Sequence, residues 1–202
     1  MLNPRVAGGA KIVGWFMAGT YFGGLMAVSL ASHEITLEPG QAKHFCGFYL
    51  DCHLAVSVEE VVREGGVPPG QTVPQPEVQY YVVFLRVSNS AIEVPLRLHG
   101  PEIVVIDAGG RRYRRDAMAE QRLAQREGPL PVVRAVEAGF SYRARLVFAL
   151  PSDVRQPRLL VTEGPWYERL AELFLIGDED SFLHQPTMLA LDGQGSVPDP
   201  RN

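Results

Sequence analysis

Only two cysteines, Cys46 and Cys52, occur among the 202 residues, so the fold does not depend on a framework of disulfide staples. Signatures of common catalysis are also missing. There is no Gly-x-Ser-x-Gly elbow, no His-Glu-x-x-His pair, no Gly-x-x-x-x-Gly-Lys phosphate loop and no dinucleotide fingerprint. No catalytic residue is nominated, no cofactor is expected, and the expectation is a protein that is not an enzyme. Internal repeats and long low-complexity tracts are absent. Basic excess is absent as well: 19 Lys and Arg stand against 23 Asp and Glu. A nucleic-acid partner, which would call for a basic face, is not expected.

The most telling absence is of charge. From Ile12 to Ser32 no ionisable side chain occurs over 21 residues, with Arg5 and Lys11 before the run and Glu34 and Glu38 after it. A helix of that length covers about 31 Å, enough to cross a bilayer core. Basic residues stay on the cytoplasmic side, so the expected topology is N-in, C-out: a single-pass protein of the cytoplasmic membrane with its domain in the periplasm or exterior. A cleaved secretory signal is the alternative, because Ser29-Leu30-Ala31 permits cleavage after Ala31. The run is longer than a usual signal core and is diluted by glycine, which favours a retained anchor. Gly19, Gly23, Ala27 and Ala31 recur every fourth residue, a small-residue ladder that would let two such helices pair in a homodimer.

The expected organisation is therefore a cytoplasmic segment 1–11, a signal-anchor 12–32, an extracytoplasmic domain 33–192 and a flexible tail 193–202. About 170 residues remain after the anchor, which suits one domain with a full core. Alternating apolar patterns predict strands at Ile35–Leu37, His53–Val62, Gln79–Ser88, Ile103–Ile106, Arg143–Leu150 and Leu159–Thr162. Glu93–Leu98 reads as a further strand with Val94, Leu96 and Leu98 inward, interrupted by Pro95. Asp107-Ala108-Gly109-Gly110 predicts a hairpin into Arg111-Arg112-Tyr113. Ala117–Arg126 reads as one short surface helix capped by Asp116, Trp166–Phe174 fits either helix or strand, and Leu183–Leu191 is a last apolar stretch. The sum is an all-β protein, an antiparallel immunoglobulin-like β-sandwich behind one N-terminal transmembrane or signal-anchor helix.

Three passages carry a resemblance: YYVVFLRVSNSA from Tyr80, IDAGGRRY from Ile106, and EAGFSYRARLVFALPSD from Glu137. Together they resemble the immunoglobulin-like domains of unknown function in bacterial exported proteins, which are similar to telokin-like and secreted-antigen sandwiches. The matching positions are Asn89, Asp107 with Gly110 and Tyr113, Gly139, and Phe148 with Pro151. The likeness spans Gln79 to Thr162, less than half the chain, and rests on turn and core positions. It implies a fold and no catalytic residue, cofactor or substrate.

The richest chemistry lies between His44 and His53. Cys46 and Cys52 in an exported protein point to a disulfide, which requires the chain to turn between them because an extended strand would hold them roughly 20 Å apart. The alternative is a zinc or copper site formed by His44, Cys46, Cys52 and His53, a fitting ligand set at an unusual spacing. Asp178, Glu179 and Asp180 form an acidic run that reads as a solvated turn, or as a weak calcium loop. Arg111, Arg112, Arg114 and Arg115 bracket Tyr113. They read as a charged strand edge, or as an anion-binding group.

Function is accordingly expected to be non-enzymatic: an interaction or accessory domain of the bacterial cell envelope, joined to the membrane through Ile12–Ser32 and recognising another envelope protein. A small exported metal-binding protein using the His44–His53 hairpin is the alternative.

Overall fold

The computed structural model describes residues 4–45, 52–65, 77–164 and 185–192. Contacts divide the chain into two compact units, Met1–Ile35 with Trp166–Pro186, and Thr36–Pro165 with Thr187–Asn202. Helix α1, Pro4–Ala31, belongs to the first and continues without a break through the uncharged run. Its stretch Val13–Ala31 is long and apolar enough to cross a membrane. Most of its large side chains, Trp15, Phe16, Met17 and Leu30 among them, are exposed. Exposed aromatic and aliphatic groups around much of a helix suit lipid better than water.

The second unit holds a two-sheet β-sandwich. Nine strands are described: β1 Ile35–Leu37, β2 Ala42–Phe45, β3 Leu54–Gly65, β4 Val78–Asn89, β5 Glu102–Ile106, β6 Arg112–Arg114, β7 Ser141–Pro151, β8 Arg158–Thr162 and β9 Thr187–Ala190. One sheet has the order β1-β9-β8-β5-β6 and the other β2-β3-β4-β7. Period-two alternation explains the core. Leu54, Val56 and Val58 of β3, Tyr81, Val83, Leu85 and Val87 of β4, and Leu146, Phe148 and Leu150 of β7 meet Ile103, Val105, Leu159, Val161 and Leu189 of the facing sheet. A register shift between Val58 and Glu60 marks a bulge in β3. It turns Val61 toward the core, where the unshifted alternation would have put Glu60.

Strand β4 is buried on both faces. Its outward Tyr80 and Val82 pack with Val147 and with Ala119 and Leu123 of helix α2, Ala117–Glu127. Asp116 caps that helix by accepting from the Ala119 N–H at 2.9 Å, as its place before the helix leads one to expect. Registers fix the two ends of the sandwich. Leu54 pairs with Asn89 and Ser88 with Ser141 at one end, while Gly65 pairs with Gln79 and Val78 with Pro151 at the other. The Asp107 turn lies at this second end, since Ala108 N–H donates to the Arg155 carbonyl and Ser152 N–H to that of Glu77.

Glu93–Leu98 corrects the sequence expectation: it is not a strand. A lone antiparallel bridge, Leu96 to Val136, is all that forms, Val94 is exposed, and only Leu98 is fully buried. Pro95 supplies no N–H for a ladder. The buried Asn89 side chain takes over instead. Its Nδ2 donates to the Val94 and Val136 carbonyls at 2.8 and 3.0 Å, and its Oδ1 accepts from Ala91 N–H at 2.9 Å. The acidic run Asp178–Asp180, the segment Trp166–Phe174 and the tail 193–202 lie outside the described residues.

Candidate functional site

The fold brings His44, Cys52 and His53 to the Asn89 end, because β2 finishes and β3 begins there. His44 Nδ1 lies 3.4 Å from the Cys52 carbonyl, and His53 Nδ1 lies 3.2 Å from Ser90 Oγ. Each ring thus has one nitrogen directed at a local partner. Among the described residues no group of three His, Cys, Asp or Glu side chains is placed to hold a metal. No free cysteine occurs among the described residues. Cys46, shared by the disulfide and metal expectations, lies outside them.

The four arginines do not converge. Arg111 turns back to Asp107, with Nε 2.6 Å from Oδ2, and reaches Asp153 at 3.4 Å. Arg115 forms an ion pair with Glu120 of α2 at 2.5 Å. Arg112 and Arg114 stand exposed on the edge strand β6, opposite Ile106 and Val104, with Tyr113 between them turned toward the core. This is the alternation of a strand edge. A single anion cannot be gripped by all four.

Asp107 is the organising group of that turn. Its carboxylate accepts from the N–H groups of Gly109 and Arg111, each at 2.9 Å, from Arg111 Nε, and from the Tyr113 hydroxyl at 3.0 Å. Burial pushes its pKa up, but the hydrogen bonds from Arg111 and Tyr113 outweigh burial and hold it below the ordinary aspartate value. The Arg111 pKa is raised, first by its bond to Asp107. Tyr113 is raised by burial and then by that same carboxylate. These shifts all belong to one turn-forming network and have a structural origin.

Two polar features escaped sequence reading. Lys43 is buried between the sheets, and its Nζ donates to the carbonyls of Val161 at 2.7 Å and Thr187 at 3.1 Å. Its Nζ also lies over the Phe45 ring, 5.4 Å from the centroid. A lysine in a four-residue strand of mixed polarity gives no sequence sign of an inward direction. The second feature is Arg145, whose side chain is 4% exposed and pairs with Glu127 at 2.5 Å and with the Gly128 carbonyl. It borders a cleft of about 210 Å³ between α2 and Pro129-Leu130-Pro131, with Arg115 and Glu120 on the same wall. Ligand pockets run to about 300–1,000 Å³, so this cleft is small for one, and its charged groups already have partners.

On helix α1, Gly19, Gly23, Ala27 and Ala31 are exposed, and a Cβ added at Gly19 or Gly23 would meet nothing within 4 Å. Leu25 and Ser29 are buried. At about 100° per residue the ladder and the buried pair fall on opposite sides of the helix.

No known protein family matches the chain. No curated protein matches it either. Among solved structures it is similar to the secreted protein MPT63 of Mycobacterium tuberculosis, with 14% identity over 79% of this chain and 99% of that one, and a TM-score of 0.47. It is also similar to the yjhA protein of Bacillus subtilis, with 12% identity over 77% and 98%, and a TM-score of 0.47. An uncharacterized β-sandwich protein of Clostridium difficile shows 10% identity over 79% and 95%, with a TM-score of 0.41.

Proposed function

We propose that the chain is a membrane-anchored, extracytoplasmic accessory domain of a bacterial envelope, acting by binding and not by catalysis. The observation that carries this reading is α1: one helix with a span-length apolar stretch, basic residues before it, and a folded sandwich beginning at Ile35. The topology is N-in, C-out, and the sandwich belongs with the immunoglobulin-like domains of unknown function that its turn residues resemble.

Retention of the anchor, rather than cleavage after Ala31, is supported by the local structure. Ser29, Leu30 and Ala31 are still helical, Ser29 is buried, and the Ser32 hydroxyl donates to the Ser29 carbonyl at 2.6 Å. A disulfide between Cys46 and Cys52 belongs to this reading, because an exported protein meets an oxidising compartment. Partner binding is tested by affinity capture of the full chain from detergent-solubilised membranes after brief cross-linking. A reproducible envelope protein is expected, and its consistent absence would overturn the accessory reading.

A further inference from the structure

The strand edges of the four-stranded sheet are closed unequally. Along β7 the outward backbone groups are spent. Arg145 N–H donates to the Leu130 carbonyl, Val147 N–H donates to Glu120 Oε1, and the Val147 carbonyl accepts from Asp116 N–H. The second half of β3 has no such cover. Strand β2 pairs only with Leu54–Ser57, and Gly40 N–H then takes the Val58 carbonyl. Beyond that turn the chain enters β1, which belongs to the other sheet. From Glu60 to Gly65, about 20 Å of strand, β3 has a neighbour on its β4 side alone among the described residues.

The register says which peptide groups face outward. Successive residues of an antiparallel strand turn their N–H and C=O to alternate sides. Arg145 turns its own away from β4, so Phe84, opposite it, turns toward β3, while Val83 and Tyr81 turn toward β7. Val61 and Arg63, opposite Val83 and Tyr81, therefore direct their N–H and C=O away from the sheet. Val58, opposite Leu85, obeys the same rule, and its carbonyl is the one that Gly40 meets. Among the described residues no hydrogen bond reaches the outward groups of Val61 and Arg63.

An open edge is ordinarily blunted by charged side chains standing over it. Here they are drawn off. Arg63 folds over the Tyr81 ring, with Cζ 5.2 Å from the centroid, and its Nη2 pairs with Asp192 at 2.6 Å. Glu59 and Glu60 are held by Arg86 and Arg143. Of the charged side chains of β3, Glu64 alone is exposed without an ion pair among the described residues. A second copy of the chain does not suit this edge. Antiparallel self-pairing about Val62 sets Glu60 against Glu64, and about Arg63 it sets two arginines against each other. Self-pairing about Val61 runs into Gly40 at Val58.

We propose that the Glu60–Gly65 edge of β3 receives an extended segment of another protein as an added antiparallel strand, with a basic side chain opposite Glu64 and an apolar one opposite Val62. Val61 and Arg63 each give a backbone donor and a backbone acceptor to that strand. Glu64 turns its own peptide groups to β4, so the residue opposite it falls in a closely spaced pair, with Cα atoms about 4.5 Å apart. The main chain supplies the affinity and Glu64 supplies the choice of partner. This rests on the binding reading above and gives it a surface and a partner chemistry.

The probes are two capped peptides, Thr-Lys-Thr-Val-Thr-Thr and Thr-Glu-Thr-Val-Thr-Thr, added to the full chain in nanodiscs, with amide hydrogen exchange read residue by residue. At about four times its Kd, the lysine peptide is expected to slow exchange at Val61 and Arg63 about fivefold. It is expected to bind about two- to fivefold more tightly than the glutamate peptide. Glu64→Lys is expected to reverse that preference. Val61→Pro, which deletes an outward N–H and no bond to β4, is expected to abolish the protection at Arg63. Exchange at Val61 and Arg63 unmoved by either peptide, in a chain whose β4 amides stay protected, would overturn the proposal and leave the accessory reading to its own capture test. Equal affinity for the two peptides, or a preference that Glu64→Lys leaves unchanged, would overturn the partner chemistry. Protection of Val61 and Arg63 that rises with protein concentration alone would place a second copy at this edge and contradict the proposal.

Discussion

Lys43 offers the sharpest test of the core. Lys43→Met keeps an unbranched stem of similar length and deletes the ammonium that binds the Val161 and Thr187 carbonyls and lies over Phe45. Two effects oppose each other. Losing hydrogen bonds from a charged donor costs roughly 1.5–3 kcal/mol each, while relieving a buried charge of its desolvation returns several kcal/mol. Loss wins here because the two acceptors are backbone carbonyls fixed in β8 and β9, which cannot turn to water when the donor goes. Carbonyls tolerate partial satisfaction, which trims the net cost to about 1–3 kcal/mol. In a domain of this size that lowers Tm by about 2–4 °C per kcal/mol. Lys43→Ala also removes the stem, and the cavity brings its cost to about 2–5 kcal/mol. Thermal melts of the full chain in nanodiscs, followed by far-UV circular dichroism, read both. A Lys43→Met protein as stable as the parent, or more stable, would refute the reasoning.

Three further outcomes follow from named groups. Asp107 has a folded pKa held below the ordinary range, so its contribution is fully present above the unfolded aspartate value and is lost as pH falls through the folded one. The Tm gap between the parent and Asp107→Ala is expected to be widest near neutral pH and to narrow below about pH 4; a gap independent of pH would contradict this. Gly110 holds φ at +78° in the Asp107 turn, so Gly110→Ala is expected to cost about 1 kcal/mol in a urea titration, against no change if the turn could relax. If Cys46 and Cys52 are bridged as proposed, reduction removes a constraint on a very short loop, and the expected loss is about 2 kcal/mol. A thiol assay on unreduced, unfolded protein should find no free thiol, and two per chain would contradict the bridge.

Local patterns told much of the fold. The alternation of β4 and β7, the Asp107-to-Gly110 hairpin and the Asp116 cap are all set by neighbours in sequence, and each appears where its pattern places it. Elements set by distant contacts were not readable. Strand β2 is four residues with Lys43 inward, and only the carbonyls of β8 and β9 make that direction sensible. Glu93–Leu98 alternates like a strand, yet Pro95 and the Asn89 side chain make it a loop. The arginine group showed its charge in sequence but not its pairing, since Glu120 and Asp153 come from other elements.

The central claim is that the sandwich works while still attached to its membrane helix. Intact-mass spectrometry of the protein recovered from carbonate-washed membranes tests that most directly. A mass that includes residues 12–32 is the predicted result, and a chain beginning at Ser32 would contradict it.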